Sequence, residues 1–322
     1  MPLRLPANLK EESLKFHMWM GAIVALLIAA DLLLAGLVHY SGVEKIIISI
    51  PVVLAVVAIV ALPLVVICWE WRRKWFRTSL DLSSTAIWAL TVWILIGPLL
   101  QIAARSPAPL VDRTLAQIDC QLIQTVVVVR WLHDFPRLVT ASQAAYESLW
   151  PLAISALFLP TLCGHTRDVR HYLVAVSISI LFTLSLFALW PAIGPWTTEA
   201  LKPGEMQAAI ESYLSALKTH SVPNGPELTR IVAFPSFHTT LAILSARALR
   251  RIRSLRAFST ILCVAICLST VATGWHYVID VFGGIAVATI SEVLAWWALR
   301  TQPLAAYHEL CRTPSFTPRR AV

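Results

Sequence analysis

The chain has 322 residues, of which 57% are hydrophobic and only 14% are charged, whereas soluble domains carry about a quarter of charged residues. This composition excludes an ordinary soluble domain and indicates an integral membrane protein. The formal net charge of +8 does not indicate nucleic-acid binding, because the basic residues cluster at the ends of apolar segments, where membrane topology explains them.

Eight apolar segments approach or reach the roughly 17–25 residues that a helix needs to cross a bilayer. In chain order they are residues 17–39, 45–69, 84–104, 146–163, 171–194, 233–249, 257–275 and 277–299. The fourth and the sixth are the shortest. We therefore predict an all-α membrane protein with about eight transmembrane helices. The first two would lie within residues 1–80, and residues 300–322 would form a cytoplasmic tail.

The charges of the short loops predict the orientation. Basic residues cluster at 72–77, 167–170, 247–256 and 300–320. If the N-terminus is cytoplasmic, eight spans place all of these clusters inside, as the positive-inside rule requires. Both termini are then expected in the cytoplasm.

Two segments lie outside the predicted spans. Residues 105–145 contain apolar stretches broken by charges, which predicts helices that lie in the interface. Residues 195–232 contain a helical pattern in which Met206, Ile210, Tyr213, Leu214 and Leu217 share one face. Such a helix can rest on the bilayer surface. It could roof a site or could simply connect two spans.

Two short strings carry the candidate chemistry. Residues 234–238 read Phe-Pro-Ser-Phe-His, and residues 276–280 read His-Tyr-Val-Ile-Asp. The predicted topology brings His238, His276 and Asp280 to the extracytoplasmic face. His276 and Asp280 are four residues apart and share one helix face, so the carboxylate can hold one imidazole nitrogen and raise the basicity of the other. His238 could then act as a general acid.

Pro235 and Ser236 favour the start of a helix. The free N–H groups of such a start, together with the helix dipole, suit a phosphate group. The strings together predict phosphoryl transfer through a phosphohistidine, with Ser236 at the phosphate. By contrast Glu292, far along the eighth segment, is predicted to pair or pack.

At these residues the chain resembles the type 2 phosphatidic acid phosphatase superfamily, whose second and third motifs read Pro-Ser-Gly-His and Ser-Arg-x5-His-x3-Asp. Here Phe237 replaces the glycine, Thr270 replaces the arginine, and a Lys-x6-Arg-Pro first motif is missing. In these departures the chain resembles the branch of the superfamily that contains fungal inositol phosphorylceramide synthase and its bacterial relatives. The resemblance covers about residues 84–299 and implies a six-helix phosphatase or phosphotransferase core.

The resemblance implies a reaction without metal or cofactor in a bacterial inner (plasma) membrane. His276 would attack a lipid phosphate or phosphodiester, Asp280 would orient it, and His238 would protonate the leaving group. A hydroxyl acceptor or water would then receive the phosphoryl group. Arg230 is the first candidate to replace the charge of the missing motif arginines. Four other basic residues are the next candidates for this role: Lys202, Lys218, Arg105 and Arg113.

Three functions remain open at this point. The leading one is a lipid phosphotransferase of the inositol phosphorylceramide synthase type. The second is a hydrolase of phosphatidic acid or of a polyprenyl pyrophosphate, which the sequence does not distinguish because acceptor choice depends on whether the pocket admits water. The third is a non-catalytic carrier or scaffold. The lipid, its head group and the oligomeric state are not predicted.

Overall fold

The computed structural model describes residues 7–38, 73–198, 201–219 and 231–300. Within these ranges the chain is helical and contains no strand, which confirms the all-α prediction. The α-helices in chain order are α1 Ala7–Val38, α2 Arg73–Ala104, α3 Asp112–Leu122, α4 Thr125–His133, α5 Pro136–Glu147, α6 Leu149–Leu162, α7 Thr166–Leu189, α8 Glu205–Lys218, α9 Phe237–Leu249, α10 Arg253–Ala272 and α11 Val278–Leu299. A short 3₁₀ turn covers Pro195–Thr197.

Five of the described helices, α1, α2, α7, α10 and α11, are long and apolar enough to cross a membrane. Helices α6 and α9 coincide with two further predicted spans but have only 14 and 13 residues, which is short of the roughly 17–25 that a span needs. The predicted span 45–69 lies outside the described residues. The described helices are thus compatible with a multi-pass membrane protein, whereas the count of eight and the six-helix core stay predictions.

Helix α7 lies at the centre of the bundle and packs against α1, α2, α6, α9 and α11. Its buried face contains small residues such as Ala175, Ser177 and Ser179. Small residues let helix backbones approach closely, and this is how helices associate inside a membrane. Large apolar side chains such as Ile261 and Leu268 on α10 are more than 60% exposed, as expected for a surface that faces lipid.

The predicted interfacial segments are helical. Helices α4 and α5 pack against α10, and α3 packs against α11. Helix α8 buries Ile210, Tyr213, Leu214 and Leu217 as predicted, whereas Met206 in its first turn is exposed. The Tyr213 hydroxyl donates a hydrogen bond to Gln101 of α2 at 3.0 Å. These helices cover the end of the bundle at which α9 and α11 begin.

Candidate active site

Helices α9 and α11 begin side by side, and hydrogen bonds join the start of α9 to the first two turns of α11. The Ser236 N–H donates to the Asp280 carbonyl oxygen at 3.0 Å, and the Thr240 hydroxyl donates to the Gly284 carbonyl oxygen, also at 3.0 Å. A Cβ atom on Gly284 would lie only 2.5 Å from the Ser236 carbonyl oxygen. A glycine is therefore required for this approach, which places His238 beside the start of α11.

Ser236 caps helix α9, as its sequence position predicts. Its hydroxyl oxygen accepts a hydrogen bond from the Thr239 N–H at 3.3 Å, and the residue is fully buried. In the part of the chain that the structure describes, Ser236 lines neither of the two cavities described below. Its hydroxyl thus holds the start of α9, and its place at a phosphate stays a prediction.

His276 lies in the turn between α10 and α11, and its ring is oriented by a backbone carbonyl. The ring is 3% exposed, and Nδ1 lies 2.8 Å from the Ala233 carbonyl oxygen. Because a carbonyl oxygen can only accept, this contact requires a proton on Nδ1. In the neutral form of the ring, the other nitrogen, Nε2, then has the lone pair.

Asp280 is the second partner of the same nitrogen. Its Oδ2 lies 3.4 Å from His276 Nδ1 and accepts the Tyr277 N–H at 2.9 Å, which caps α11. The sequence indicated Asp280 as the group that holds the imidazole. In the structure the Ala233 carbonyl is the closer acceptor, and the buried carboxylate adds its charge beside it.

The two histidine rings converge. Their centroids are 5.9 Å apart, and the ring planes are inclined by 57°. The Tyr146 ring stacks on His238 with a centroid distance of 4.3 Å. The two imidazole rings thus lie next to each other near the starts of α9 and α11.

Both histidines line a cavity of about 390 Å³. Its other walls are mainly apolar side chains of α2, α6 and α7, among them Trp93, Leu100, Trp150 and Ile180. An apolar pocket with a few polar groups gathered at one place is the usual form of a small-molecule site. This one suits an amphipathic molecule whose polar group meets the histidines.

Two buried carboxylates hold the loops around this site. Asp119 accepts the Val278 N–H at 2.7 Å and the Thr125 N–H at 2.8 Å, which ties the start of α11 to the start of α4. Asp112 accepts the Ile193 and Gly194 N–H groups at 3.0 and 2.8 Å. Burial raises the pKa of the Asp112 carboxyl above its ordinary value, although these two N–H groups oppose the shift.

The candidate cations have different surroundings. Lys218 donates to the carbonyl oxygens of Ser106 and Ala108 at 2.8 Å each, and burial lowers its pKa. Arg105 donates to the Gln101 carbonyl oxygen at 3.0 Å. These two residues therefore hold the backbone at the end of α2.

The remaining candidate cations are Lys202, Arg113 and Arg230. Lys202 lines a second cavity close to the histidines. Arg113 lies on α3, is exposed and is not among the described residues that line either cavity. Arg230 falls outside the residues that the structure describes.

Sequence reasoning missed several neighbours of the histidines. The Ala233 carbonyl and the Tyr146 ring gave no signal, because their contacts depend on tertiary placement. Trp275 directly precedes His276, and this adjacency could have marked it. Its ring lies 6.0 Å from the Tyr146 ring and 5.6 Å from the Trp196 ring, measured between centroids.

The comparisons with known proteins bear on this same region. No curated protein and no solved structure matches the chain. A family model described as the PAP2 superfamily matches residues 113–294, which make up more than half of the chain and include both histidines and Asp280. The members of this superfamily are phosphatases, which supports an enzymatic role. The chain therefore belongs to the PAP2 superfamily.

Proposed function

We propose that the protein is an integral-membrane lipid phosphotransferase that works through a phosphohistidine on His276. The observation that carries this proposal is the pairing of His276 Nδ1 with the Ala233 carbonyl at 2.8 Å. That pairing leaves Nε2 as a nucleophile in a ring that lines the same cavity as His238. A nucleophile oriented by a third group is the arrangement that covalent catalysis needs.

The proposed reaction has two balanced steps. In the first, His276 Nε2 forms a bond to phosphorus while the bond from phosphorus to the lipid oxygen breaks, and His238 gives its proton to that oxygen. In the second, an acceptor hydroxyl or water attacks phosphorus, passes its proton to His238 and releases His276. Asp280 and the Ala233 carbonyl stabilise the positive charge that develops on the imidazole, as the carboxylate does in hydrolase triads.

The phosphate charge needs partners in this scheme. The start of α9 supplies N–H groups and the positive end of a helix dipole, and the Ser236 cap fixes that start. Among the described candidate cations, Lys202 is the best placed to bind the phosphate. The cavity that it lines shares Trp196 and Trp275 with the histidine cavity. Arg230, which lies outside the described residues, stays the first candidate from the sequence to bind the phosphate.

The finer assignments rest on sequence features. The positive-inside pattern supports an extracytoplasmic site and cytoplasmic termini. The Phe-Pro-Ser-x-His and His-Tyr-x-x-Asp strings support the branch of the inositol phosphorylceramide synthases. The substrates would then be a lipid phosphate or phosphodiester and a hydroxyl acceptor, with membrane lipids as surroundings.

The experiment uses purified full-length protein in liposomes. Head-group-labelled phosphatidylinositol and radiolabelled phosphatidic acid are supplied with and without ceramide, with and without a chelator. We expect the labelled phosphate-containing head group to be transferred from phosphatidylinositol to ceramide, and we expect the chelator to leave the rate of this transfer unchanged. Activity that persists in full after His276→Ala would contradict the proposed mechanism.

A hydrolase is the second candidate, because the members of the matched superfamily are phosphatases. In the same assay a hydrolase releases diacylglycerol and a water-soluble phosphate at a rate that added ceramide does not change. Label on ceramide would instead exclude a pure hydrolase.

A further inference from the structure

The Tyr146 ring lies closer to His238 than the second histidine does. The centroids of the Tyr146 and His238 rings are 4.3 Å apart, and their planes are inclined by 19°. The His276 ring is 5.9 Å from His238 and is inclined by 57°. The tyrosine thus covers one face of the imidazole. Because the ring nitrogens lie at the edge of an imidazole, stacking on its face does not compete with proton transfer.

Tyr146 is itself held by the surrounding helices. It lies in the last turn of α5 and is 3% exposed, and α5 packs against α10. The Tyr146 ring also runs parallel to the Trp275 ring, with a centroid distance of 6.0 Å and an inclination of 14°. Trp275 directly precedes His276. The Tyr146 ring therefore lies next to both the proposed general acid and the residue before the proposed nucleophile.

The same contact favours the form of His238 that the proposed first step needs. In that step a protonated His238 gives its proton to the lipid oxygen. The face of a tyrosine ring attracts a cation that lies within about 6 Å of its centroid, and the attraction is stronger where water is excluded. Tyr146 and His238 both line the mainly apolar cavity, so this attraction is weakly screened.

We infer that Tyr146 is a positioning residue for the general acid: its ring holds His238 in place and favours its protonated form. The inference rests on the proposed function and deepens it. Tyr146 exchanges no proton in either step, because it acts through His238. Removal of its ring should therefore slow only the steps in which His238 transfers a proton.

The test compares two lipids that differ in one atom. The diacylglycerol of phosphatidic acid leaves as an alkoxide that needs a proton. In the analogue, sulfur replaces the oxygen that bridges phosphorus and glycerol, and the product leaves as a thiolate that needs none. Full-length protein in detergent micelles, in excess over the lipid, reports the first step alone as release of the alcohol or the thiol.

The variants are Tyr146→Leu, Tyr146→Phe and His238→Ala. The matched control is Tyr172→Leu, which makes the same change at a buried tyrosine of α7 that lines neither described cavity. If Tyr146→Leu does not fold, Tyr146→Met takes its place, because methionine adapts to fill the space without supplying a ring face.

The expected result is a loss that depends on the leaving group. Tyr146→Leu should slow the release of diacylglycerol about tenfold, within the range of a desolvated cation–π contact, and should keep the wild-type rate of thiol release. Tyr146→Phe keeps a stacked ring and should keep most of both rates. His238→Ala should show the same selectivity with a loss of about 10²–10⁴-fold, and adding Tyr146→Leu to it should cause no further loss. Tyr172→Leu should keep the wild-type ratio of the two rates.

Several outcomes would overturn the inference. They are an unchanged diacylglycerol release in Tyr146→Leu, equal losses on both lipids, a loss in Tyr146→Phe as large as in Tyr146→Leu, and additive losses in the double variant with His238→Ala. A wild-type protein that releases diacylglycerol but no thiol would overturn it as well. Release from neither lipid by the wild-type protein would instead contradict the proposed function.

Discussion

The two ends of the helical bundle each hold a histidine beside a carboxylate, and only one of them has the form of an active site. His276 Nδ1 lies 3.4 Å from Asp280 Oδ2, and His171 Nδ1 lies 3.7 Å from Glu292 Oε2. At the first end a backbone carbonyl fixes the ring, which lines a cavity. At the second, Arg247 binds the same carboxylate, and His171 lines neither described cavity.

Further ion pairs lie near His171 and connect the helices at this end of the bundle. Arg170 pairs with Asp81 at 2.9 Å, and Arg251 pairs with Asp168 at 3.4 Å. These contacts join α7 to α2 and to the loop between α9 and α10. The contact between Glu292 and Arg247 confirms the predicted pairing of this carboxylate. A histidine beside a carboxylate is thus a candidate site only when the ring also reaches a cavity.

The largest expected effect separates the two histidines. His276→Ala should lower lipid phosphate turnover by at least about 10⁴-fold, because it removes the nucleophile. His171→Ala should keep most of the rate, because this ring does not reach the cavity. Initial rates of diacylglycerol release, at equal amounts of folded protein by size-exclusion chromatography, provide the measurement. Equal losses in both variants would remove the distinction between the two ends.

Replacing the two carboxylates should change different properties, turnover for Asp280 and stability for Glu292. Asp280→Asn keeps an oxygen for the Tyr277 N–H but removes the charge beside His276, so turnover should fall by about 10²–10⁴-fold. Glu292→Gln leaves the Arg247 guanidinium without its counter-charge, so the free energy of unfolding should fall by about 1–3 kcal/mol. Turnover and denaturation in detergent are measured for both variants. A rate loss in Glu292→Gln as large as that in Asp280→Asn would count against this account.

The contact between α9 and α11 gives the third prediction. Gly284→Ala places a methyl group 2.5 Å from the Ser236 carbonyl oxygen, which should push His238 away from His276. We expect a loss of activity of about 10-fold to 100-fold, the order that a small misplacement costs. Gly21→Ala is the control, because a Cβ there meets no described atom within 4 Å. The two variants are compared by initial rate, and similar rates would show that the close approach does not matter.

The smallest effect concerns two buried tyrosine hydroxyls. Tyr277 bonds to Thr198 at 2.7 Å, and Tyr172 bonds to Ser245 at 3.0 Å. Replacing either by phenylalanine should lower the free energy of unfolding by about 0.5–1.5 kcal/mol. Only Tyr277→Phe should also lower turnover, by a few-fold, because Tyr277 adjoins His276. Chemical denaturation and initial rates distinguish the two, and a slower Tyr172→Phe would contradict the division between the ends.

Much of the fold could be predicted because a membrane span must satisfy its backbone internally, so long apolar segments become helices. The boundaries were less accurate. The predicted span 146–163 begins in α5, and α6 starts only at Leu149. Lys218 is a candidate cation for the phosphate in the sequence, but in the structure its amine donates to the carbonyl oxygens of Ser106 and Ala108.

The candidate site was predicted through side chains with recognisable spacing, namely His238, His276 and Asp280. Its remaining parts depend on tertiary contacts that no local pattern specifies. A backbone carbonyl such as that of Ala233 has no sequence signature, and the cavity that Lys202 lines assembles from four separate segments. Asp119 illustrates the same point, because its partners Thr125 and Val278 become neighbours only in the folded chain.

The central claim is that His276, rather than another histidine, carries the phosphoryl group. Wild-type protein turning over radiolabelled phosphatidic acid in liposomes is quenched in base, digested and mapped by mass spectrometry. The account predicts an acid-labile, base-stable phosphate on His276 and none on His171 or His238. Diacylglycerol release without any label on His276, or a label that maps to another residue, would contradict it.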